Sequence, residues 1–460
     1  MNLKKRKVLL VGLGILGGSL AIADFLLKKG AKLIITDLKN RKDLRESLKK
    51  LRDKRIKFIL GKHRAIDFKN NDIIVFNPAV SISSPWVKLA KKYKKLIEND
   101  LSLFLKDKKT EYIAVTGTRG KTTVAHWINH FLPNSFLGGN IPEKGLLKIA
   151  NKKAKLFVLE LSSFQLEFMK KELQPPKVAI ITNLYNDHLN RYGNFKNYLN
   201  QKAKIFLNQT KDDFLILNAD NKYTSRFLKK KPKSKVYYFS LKKLLRGKNG
   251  LFITGSRIYF QENAHISAIA DKRAISDWAD FQKANLLAAL LAAYLFARDW
   301  KNLVKKIKTL PPVPFRQEII LRKKNLIIIN DTAATSPDAT LAALEKFKKY
   351  KKRLILIIGG TDKKLEFKAL ADKIKKYIKP ENLYLLEGSA TQKLIRELKE
   401  EELKIFSNLK EIIIDIAKEK RKSAIILFSP ASASFEKFKN EFDRGKKFNK
   451  LVKRYFQVSE

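Results

Sequence analysis

Short, unbroken runs of β-branched and aliphatic residues alternate with longer amphipathic stretches along almost the whole chain. This pattern predicts parallel strands joined by helical crossovers. A first series consists of KVLLVG at 7–12, KLIITD ending at Asp37, KFIL near Phe58 and DIIVF ending at Phe76. A second begins with YIAVTG ending at Gly117 and continues through LFVLEL at 156–161, KVAIITN ending at Asn183 and DFLILN ending at Asn218. LFITGSRIYF, between Gly250 and Phe260, predicts a hairpin. The third series is LIIIND ending at Asp331, RLILIIGG ending at Gly360, NLYLLEG ending at Gly388 and SAIILFSP ending at Pro430.

Two interruptions divide the series. LKDKKTE at 105–111 is a polar connector, and the proline-rich TLPPVPFR at 309–316 cannot be helix interior. The expected organisation is therefore three α/β domains, 1–107, 108–311 and 312–460. No period of 20–50 residues recurs, which excludes a solenoid.

Composition changes this picture little. The 460 residues are 45% hydrophobic, ample for several cores, and contain no cysteine for disulfide or thiolate chemistry. No apolar run is long enough to insert into a membrane. The N-terminal apolar run passes into a glycine turn and offers no signal-peptide cleavage site, so the cytoplasm is the expected compartment. The net charge of +53 first suggests nucleic acid. Its lysines are spread over every helical stretch, however, without a basic arm or an interleaved aromatic platform. The reading is a solvated basic surface, no nucleic-acid partner, and some attraction for polyanionic substrates.

Candidate chemistry sits at strand ends. VGLGILGG places Gly12, Gly14 and Gly17 between a strand and a helix, with Asp37 at the next strand end, the arrangement of a dinucleotide- or diphosphate-binding turn. A purely structural glycine turn reads the same way. VTGTRGKTT, 115–123, lies at a second strand-to-helix junction. There Gly117 and Gly120 permit the turn, Lys121 can neutralise phosphates and the Thr122 hydroxyl can ligate Mg²⁺. It departs from the common P-loop in carrying Val115 where a glycine is usual. Glu160 closes the next strand, a position suited to Mg²⁺, although a strand-end carboxylate can also cap a helix. Asn186, Asp187 and His188 follow the strand after that, and Lys202 falls in a helical stretch where a solvated lysine is the plain alternative.

TGTRGKTT, ELSSFQLE and NDHLNRYG, in this order, resemble the Mur ligase superfamily, and ELSSFQLE points to its D-glutamate-adding branch. FRQE at 315–318, NDTAAT at 330–335 and SPASASFEKFKNEFDRG at 429–445 agree, so the resemblance spans nearly the whole chain. It implies a Rossmann-like N-terminal domain binding the UDP moiety of UDP-N-acetylmuramoyl-L-alanine. It further implies a central P-loop-type mononucleotide-binding domain holding ATP and two Mg²⁺ ions, and a C-terminal Rossmann-like domain binding D-glutamate.

By position, the resemblance assigns the turn from Gly12 to Gly18, with Gly14, Ile15 and Leu16, to the diphosphate, Asp37 to the uracil end, and Asn140, Ser162 and Gln165 to the UDP-sugar substrate. Gly117, Thr118, Arg119, Gly120, Lys121, Thr122 and Thr123 would cradle ATP, with Asn285 at the adenine and Arg316 and Asp331 completing the site. Thr122, Glu160, His188 and a carbamylated Lys202 would hold the metals, and Lys121, His188 and Lys202 would carry the catalysis. Thr335, Lys363, Ser434 and Phe435 would hold D-glutamate. The implied protein is a monomer that makes an amide through an acyl phosphate. Arg119, Leu16, Phe281 with Gln282, and Ala333 depart from the usual pattern. Three other readings stay open on sequence: a sibling amide ligase such as a folylpolyglutamate synthase, an NAD-dependent oxidoreductase built on the first glycine turn, and a nucleic-acid binder.

Overall fold

Strands buried on both faces read as continuous Val, Ile and Leu rather than as alternating patterns, and the sheets formed here follow that rule. The computed structural model describes residues 2–14, 18–51, 53, 55–141, 143–276, 278–400, 402–419 and 423–456. By contact density it divides into two units, Met1–Ser276 with Gln282–Leu310, and Asp277–Phe281 with Pro311–Glu460.

The first unit contains two sheets. β1 (Lys7–Val11), β2 (Lys32–Asp37), β3 (Lys57–Leu60), β4 (Ile73–Phe76) and β5 (Leu96–Glu98) form a wholly parallel sheet in the order β3-β2-β1-β4-β5. The order reverses between β1 and β4, so the crevice at their carboxyl ends is a natural ligand position.

The second sheet comprises β6 (Tyr112–Thr116), β7 (Ser135–Gly139), β8 (Leu156–Glu160), β9 (Val178–Ile181), β10 (Phe214–Asn218), β11 (Lys235–Ser240), β12 (Asn249–Thr254), β13 (Arg257–Glu262) and β14 (His265–Asp271). Its order is β14-β13-β12-β11-β10-β9-β6-β8-β7. It is parallel from β7 to β12, while β13 and β14 add an antiparallel ribbon. Its switch point lies between β6 and β9. The helix Asp280–Ala297 is sequestered along most of its length, with Asn285–Ala293 buried throughout.

The second unit carries β15 (Glu318–Lys323), β16 (Leu326–Asn330), β17 (Leu354–Gly359), β18 (Leu383–Leu386), β19 (Lys404–Phe406) and β20 (Ala424–Phe428), in the order β15-β16-β20-β17-β18-β19. Only β15 runs antiparallel. The three-sheet α/β architecture is the expected one. The hairpin expected at 250–260 forms as β12 and β13, extended by β14. Part of the expected polar connector at 105–111 is instead the end of the helix Asp100–Asp107, held by an Asn99–Ser102 capping box that sequence patterning did not anticipate.

Candidate functional site

The turn after β6 is built so that side chains of neighbouring strands press against bare backbone. Gly117 has φ 147° and Gly120 φ 81°, in the region that disfavours residues with a Cβ. A Cβ on Gly117 would strike the Thr182 hydroxyl, and one on Gly120 would strike the Asn285 amide. Asn183, just past β9, accepts from Arg119 N through Oδ1 at 2.9 Å, and its carbonyl accepts from Thr118 N at 3.0 Å. The Thr118 hydroxyl accepts from Tyr185 N at 3.0 Å and lies 3.2 Å from the Tyr198 hydroxyl. Arg119 stands over the Tyr185 ring at 5.4 Å. Gly120 caps the helix Lys121–Phe131, so Lys121, Thr122 and Thr123 occupy its first turn, where N–H groups and the helix dipole favour an anion.

Two lysines converge on this turn. Lys121 Nζ donates to the carbonyls of Gly117 and Thr118, each at 3.0 Å. Lys202, from the helix Phe195–Ala203, is only 2% exposed, and its Nζ donates to Gly117 O at 2.8 Å and lies 3.4 Å from Thr116 Oγ1. Burial, reinforced by the Lys121 charge, pushes the Lys202 amine well below the ordinary lysine range, against the pull of Asp187 and Glu160. Its burial excludes the plain alternative of a solvated surface lysine at 202.

Glu160 ends β8 with 2% exposure. Its Oε2 accepts from the Thr122 hydroxyl at 2.6 Å and its Oε1 from the Asn140 amide at 3.2 Å. No lysine or arginine among the described residues forms an ion pair with it, and a buried carboxylate in that condition is a fitting ligand for a divalent cation. His188 adopts φ 54° at the start of the short helix Leu189–Tyr192. Its ring lies 4.9 Å from Phe164 and 6.0 Å from Tyr198, and its Nε2 lies 3.8 Å from Asp187 Oδ2. Among the described residues, no three His, Asp or Glu side chains are clustered closely enough to form a metal site by themselves.

The turn after β1 is organised differently. Gly12 and Gly14 have φ 89° and 67°. Asp37, at the end of β2, accepts from Gly14 N at 3.0 Å and from Lys39 N at 2.8 Å. Ser19 Oγ donates to Gly12 O at 2.6 Å, and Ser47 Oγ donates to Gly14 O at 2.8 Å. Of the residues expected in this turn, Ile15, Leu16 and Gly17 lie outside the described residues.

Ser162 and Gln165, expected at the substrate, form a reciprocal capping box on the helix Ser163–Leu166. Gln165 also donates to Asp100 Oδ2 at 2.7 Å. Burial pushes the Asp100 carboxyl up to about 6, although the Gln165 bond opposes the shift.

In the second unit, Asp331 accepts from Gln317 N at 3.1 Å and from Ser429 Oγ at 2.9 Å. Burial pushes its carboxyl up to about 7 against those two bonds and the Arg316 charge. Arg316 donates to Pro314 O at 3.1 Å, and Lys363 Nζ donates to Thr335 Oγ1 at 3.2 Å. The buried Ser434 hydroxyl has no hydrogen-bond partner among the described residues, and neighbouring Phe435 is 62% exposed. Sequence reasoning missed Arg444. It is fully buried, and its guanidinium donates to Thr332 Oγ1 at 3.0 Å and to the carbonyls of Thr332, Ser432 and Ala433 at 2.9–3.1 Å. It also missed Thr182, Asn183 and Tyr198. Only the position of Asn183 at a strand end could have signalled its role.

Comparison with known proteins accounts for all three sheets. The Mur ligase MurD-like N-terminal domain matches residues 6–97, the Mur ligase middle domain 115–293, and the Mur ligase glutamate ligase domain 315–432. UDP-N-acetylmuramoylalanine–D-glutamate ligase of Borreliella afzelii is 38% identical over 461 residues, covering 98% of each chain. The enzyme of the same name from a Roseiflexus species is 32% identical over 99% of this chain and 100% of its own. Among solved structures, the UDP-N-acetylmuramate–alanine ligase MurC of Thermotoga maritima superposes with a TM-score of 0.60 at 22% identity, over 99% of this chain and 100% of that one. The MurF ligase of the same organism, in complex with ADP, gives a TM-score of 0.60 at 16% identity, over 99% and 96%. Two strand-to-helix glycine turns at switch points, a lysine buried under the second, and relatedness along nearly the full length make one conclusion: the chain belongs to the Mur ligase family.

Proposed function

We propose that the chain joins D-glutamate to UDP-N-acetylmuramoyl-L-alanine at the expense of ATP, as a cytoplasmic and monomeric enzyme of peptidoglycan precursor synthesis. The convergence of Lys121 and Lys202 on Gly117 O, beside the Thr122–Glu160 pair, carries this reading. A carboxylate is a poor electrophile. The L-alanyl carboxylate takes the γ-phosphoryl group of ATP to become an acyl phosphate, and the D-glutamate amine then displaces phosphate from the acyl carbon.

The residues present suit that sequence. The N–H groups of Thr118 and Arg119 are held by Asn183, so the phosphates bind at the first turn of the helix Lys121–Phe131. Lys121 leaves the loop carbonyls to meet the β- and γ-phosphates, where positioned charge stabilises phosphoryl transfer. Thr122, Glu160, His188 and a Lys202 carbamate would hold two Mg²⁺ ions, which supply charge neutralisation of the triphosphate. Lys202 fits its part because burial disfavours its ammonium and leaves a nucleophilic amine that can add CO₂.

The first domain, 1–107, takes the UDP moiety through the Gly12–Gly14 turn and Asp37. The central domain, 108–311, adds Asn140 at the substrate and Asn285 at the adenine. In the C-terminal domain, 312–460, Arg316 and Asp331 serve ATP while Thr335, Lys363, Ser434 and Phe435 serve D-glutamate. The test is phosphate release from Mg²⁺-ATP with UDP-N-acetylmuramoyl-L-alanine against a panel of amino acids. D-glutamate is expected to dominate, and an equal response to L-lysine or diaminopimelate overturns the assignment.

A further inference from the structure

Arg191 lies between the two glycine turns and touches the surroundings of both. Its guanidinium grips Glu167, with Nε 2.6 Å from Oε1 and Nη2 2.9 Å from Oε2. The same group donates to three successive carbonyls of the loop after β4: Pro78 at 2.9 Å, Ala79 at 2.8 Å and Val80 at 3.2 Å. Glu167 Oε2 completes the clasp by accepting from Ile82 N at 2.8 Å. The ion pair is sequestered, with the Glu167 side chain fully buried and that of Arg191 10% exposed. A planar fork of donors is required to serve a carboxylate and three carbonyls together.

The clasped loop reaches the first turn at its other end. Asn77 Nδ2 donates to Ser19 Oγ at 2.7 Å, and that hydroxyl in turn donates to Gly12 O at 2.6 Å. A Cβ on Gly12 would come within 3.2 Å of Asn77 Cβ, so side chain and turn are in close register. Asn77 Oδ1 also accepts from Ala79 N at 2.8 Å, which holds the loop in the shape Arg191 grips. On the opposite side, the guanidinium stacks 3.9 Å from the Phe164 ring centre. That ring lies 4.9 Å from His188, whose carbonyl accepts from Arg191 N at 3.0 Å.

We propose that Arg191 is a positioning residue. Through loop 77–82 it fixes the span between the turn that anchors the nucleotide-sugar diphosphate and the His188 edge of the phosphoryl-transfer centre, so that the acceptor carboxylate arrives in line with the triphosphate. The inference rests on the ligase reading above and adds to it the element that sets the reach of the acceptor.

The test is a cycle of variants at the two ends of the loop, read in steady-state kinetics of the full chain. Replacing Arg191 alone strands a buried carboxylate, so the principal variant is Arg191→Ala combined with Glu167→Gln, which can still accept from Ile82 N. Its kcat/KM for the UDP-acceptor should fall about a hundredfold, the cost of misplacing a reactant by about an ångström, while the KM for ATP changes less than about twofold. Asn77→Ala should cost about tenfold, and adding it to the first variant should cost less than about threefold more, because both lesions release one loop. Arg191→Lys should recover part of the loss by keeping the ion pair. Multiplicative losses, or a KM for ATP that rises with that for the acceptor, overturn the proposal. A parent protein that does not consume the UDP-acceptor at all removes the ligase reading, and this inference with it.

Discussion

The turns after β1 and β6 share a strand–glycine–helix plan and a place at a switch point, yet neighbouring residues prepare them for different work. In the first, the Gly14 N–H is taken by the Asp37 carboxylate, and the carbonyls of Gly12 and Gly14 are taken by serine hydroxyls. In the second, the Gly117 carbonyl receives two lysine side chains and the first helical turn adds a hydroxyl paired with a carboxylate. The shared backbone plan therefore does not by itself decide which N–H and carbonyl groups of a turn are engaged. That is decided by residues far away in sequence, such as Asp37 and Lys202.

The contrast can be broken most forcefully at Lys121. Lys121→Ala should lower kcat about 10³-fold with the thermal midpoint little changed, since the charge serves a transition state rather than a core; near-normal turnover would make the second turn as passive as the first. Lys202→Ala comes next, with a loss of about 10²-fold and partial recovery on adding short carboxylic acids that replace the missing anion. Full activity without the acids would rule out the carbamate. At the first turn the effect should be smaller and confined to binding: Asp37→Ala should raise the KM for the UDP-substrate about tenfold, the worth of one charged hydrogen bond, and leave that for ATP unchanged. A fall in kcat alone would contradict the division of labour. Smallest of all, Ser162→Ala should cost about 1 kcal/mol of stability in urea unfolding, as loss of a helix cap does. A collapse of acceptor binding without loss of stability would make substrate contact, and not capping, the work of Ser162.

The three-sheet plan was legible because β1, β6, β8 and β17 are apolar runs ended by glycine or an acidic residue, and β20 is one ended by Ser429 and Pro430. Short or weakly patterned strands escaped notice. β5 and β19 have three residues each, β7 is half glycine-bearing turn in its sequence, SFLGG, and β15 is an edge strand with mixed burial. The phosphate loop could likewise be read locally, because one contiguous segment carries both its glycines and its lysine. Lys202 could not, since nothing in YLNQKAKIF distinguishes a lysine that folds beneath Gly117 from the many others on helices. Arg191 stands inside a motif recognised at the outset, but its partners at 78–80 come from another sheet. Such long-range juxtapositions exist only once the chain is folded.

Gly117 and Gly120 also restrict how this molecule can change. Each presses its backbone against one side chain, Thr182 or Asn285, with no space for even a methyl group. Neither glycine can drift unless its counterpart recedes, and a receding counterpart leaves the loop unsupported. A small molecule held against these two glycines would therefore meet few viable escape variants at either of them, and resistance would have to arise at other positions.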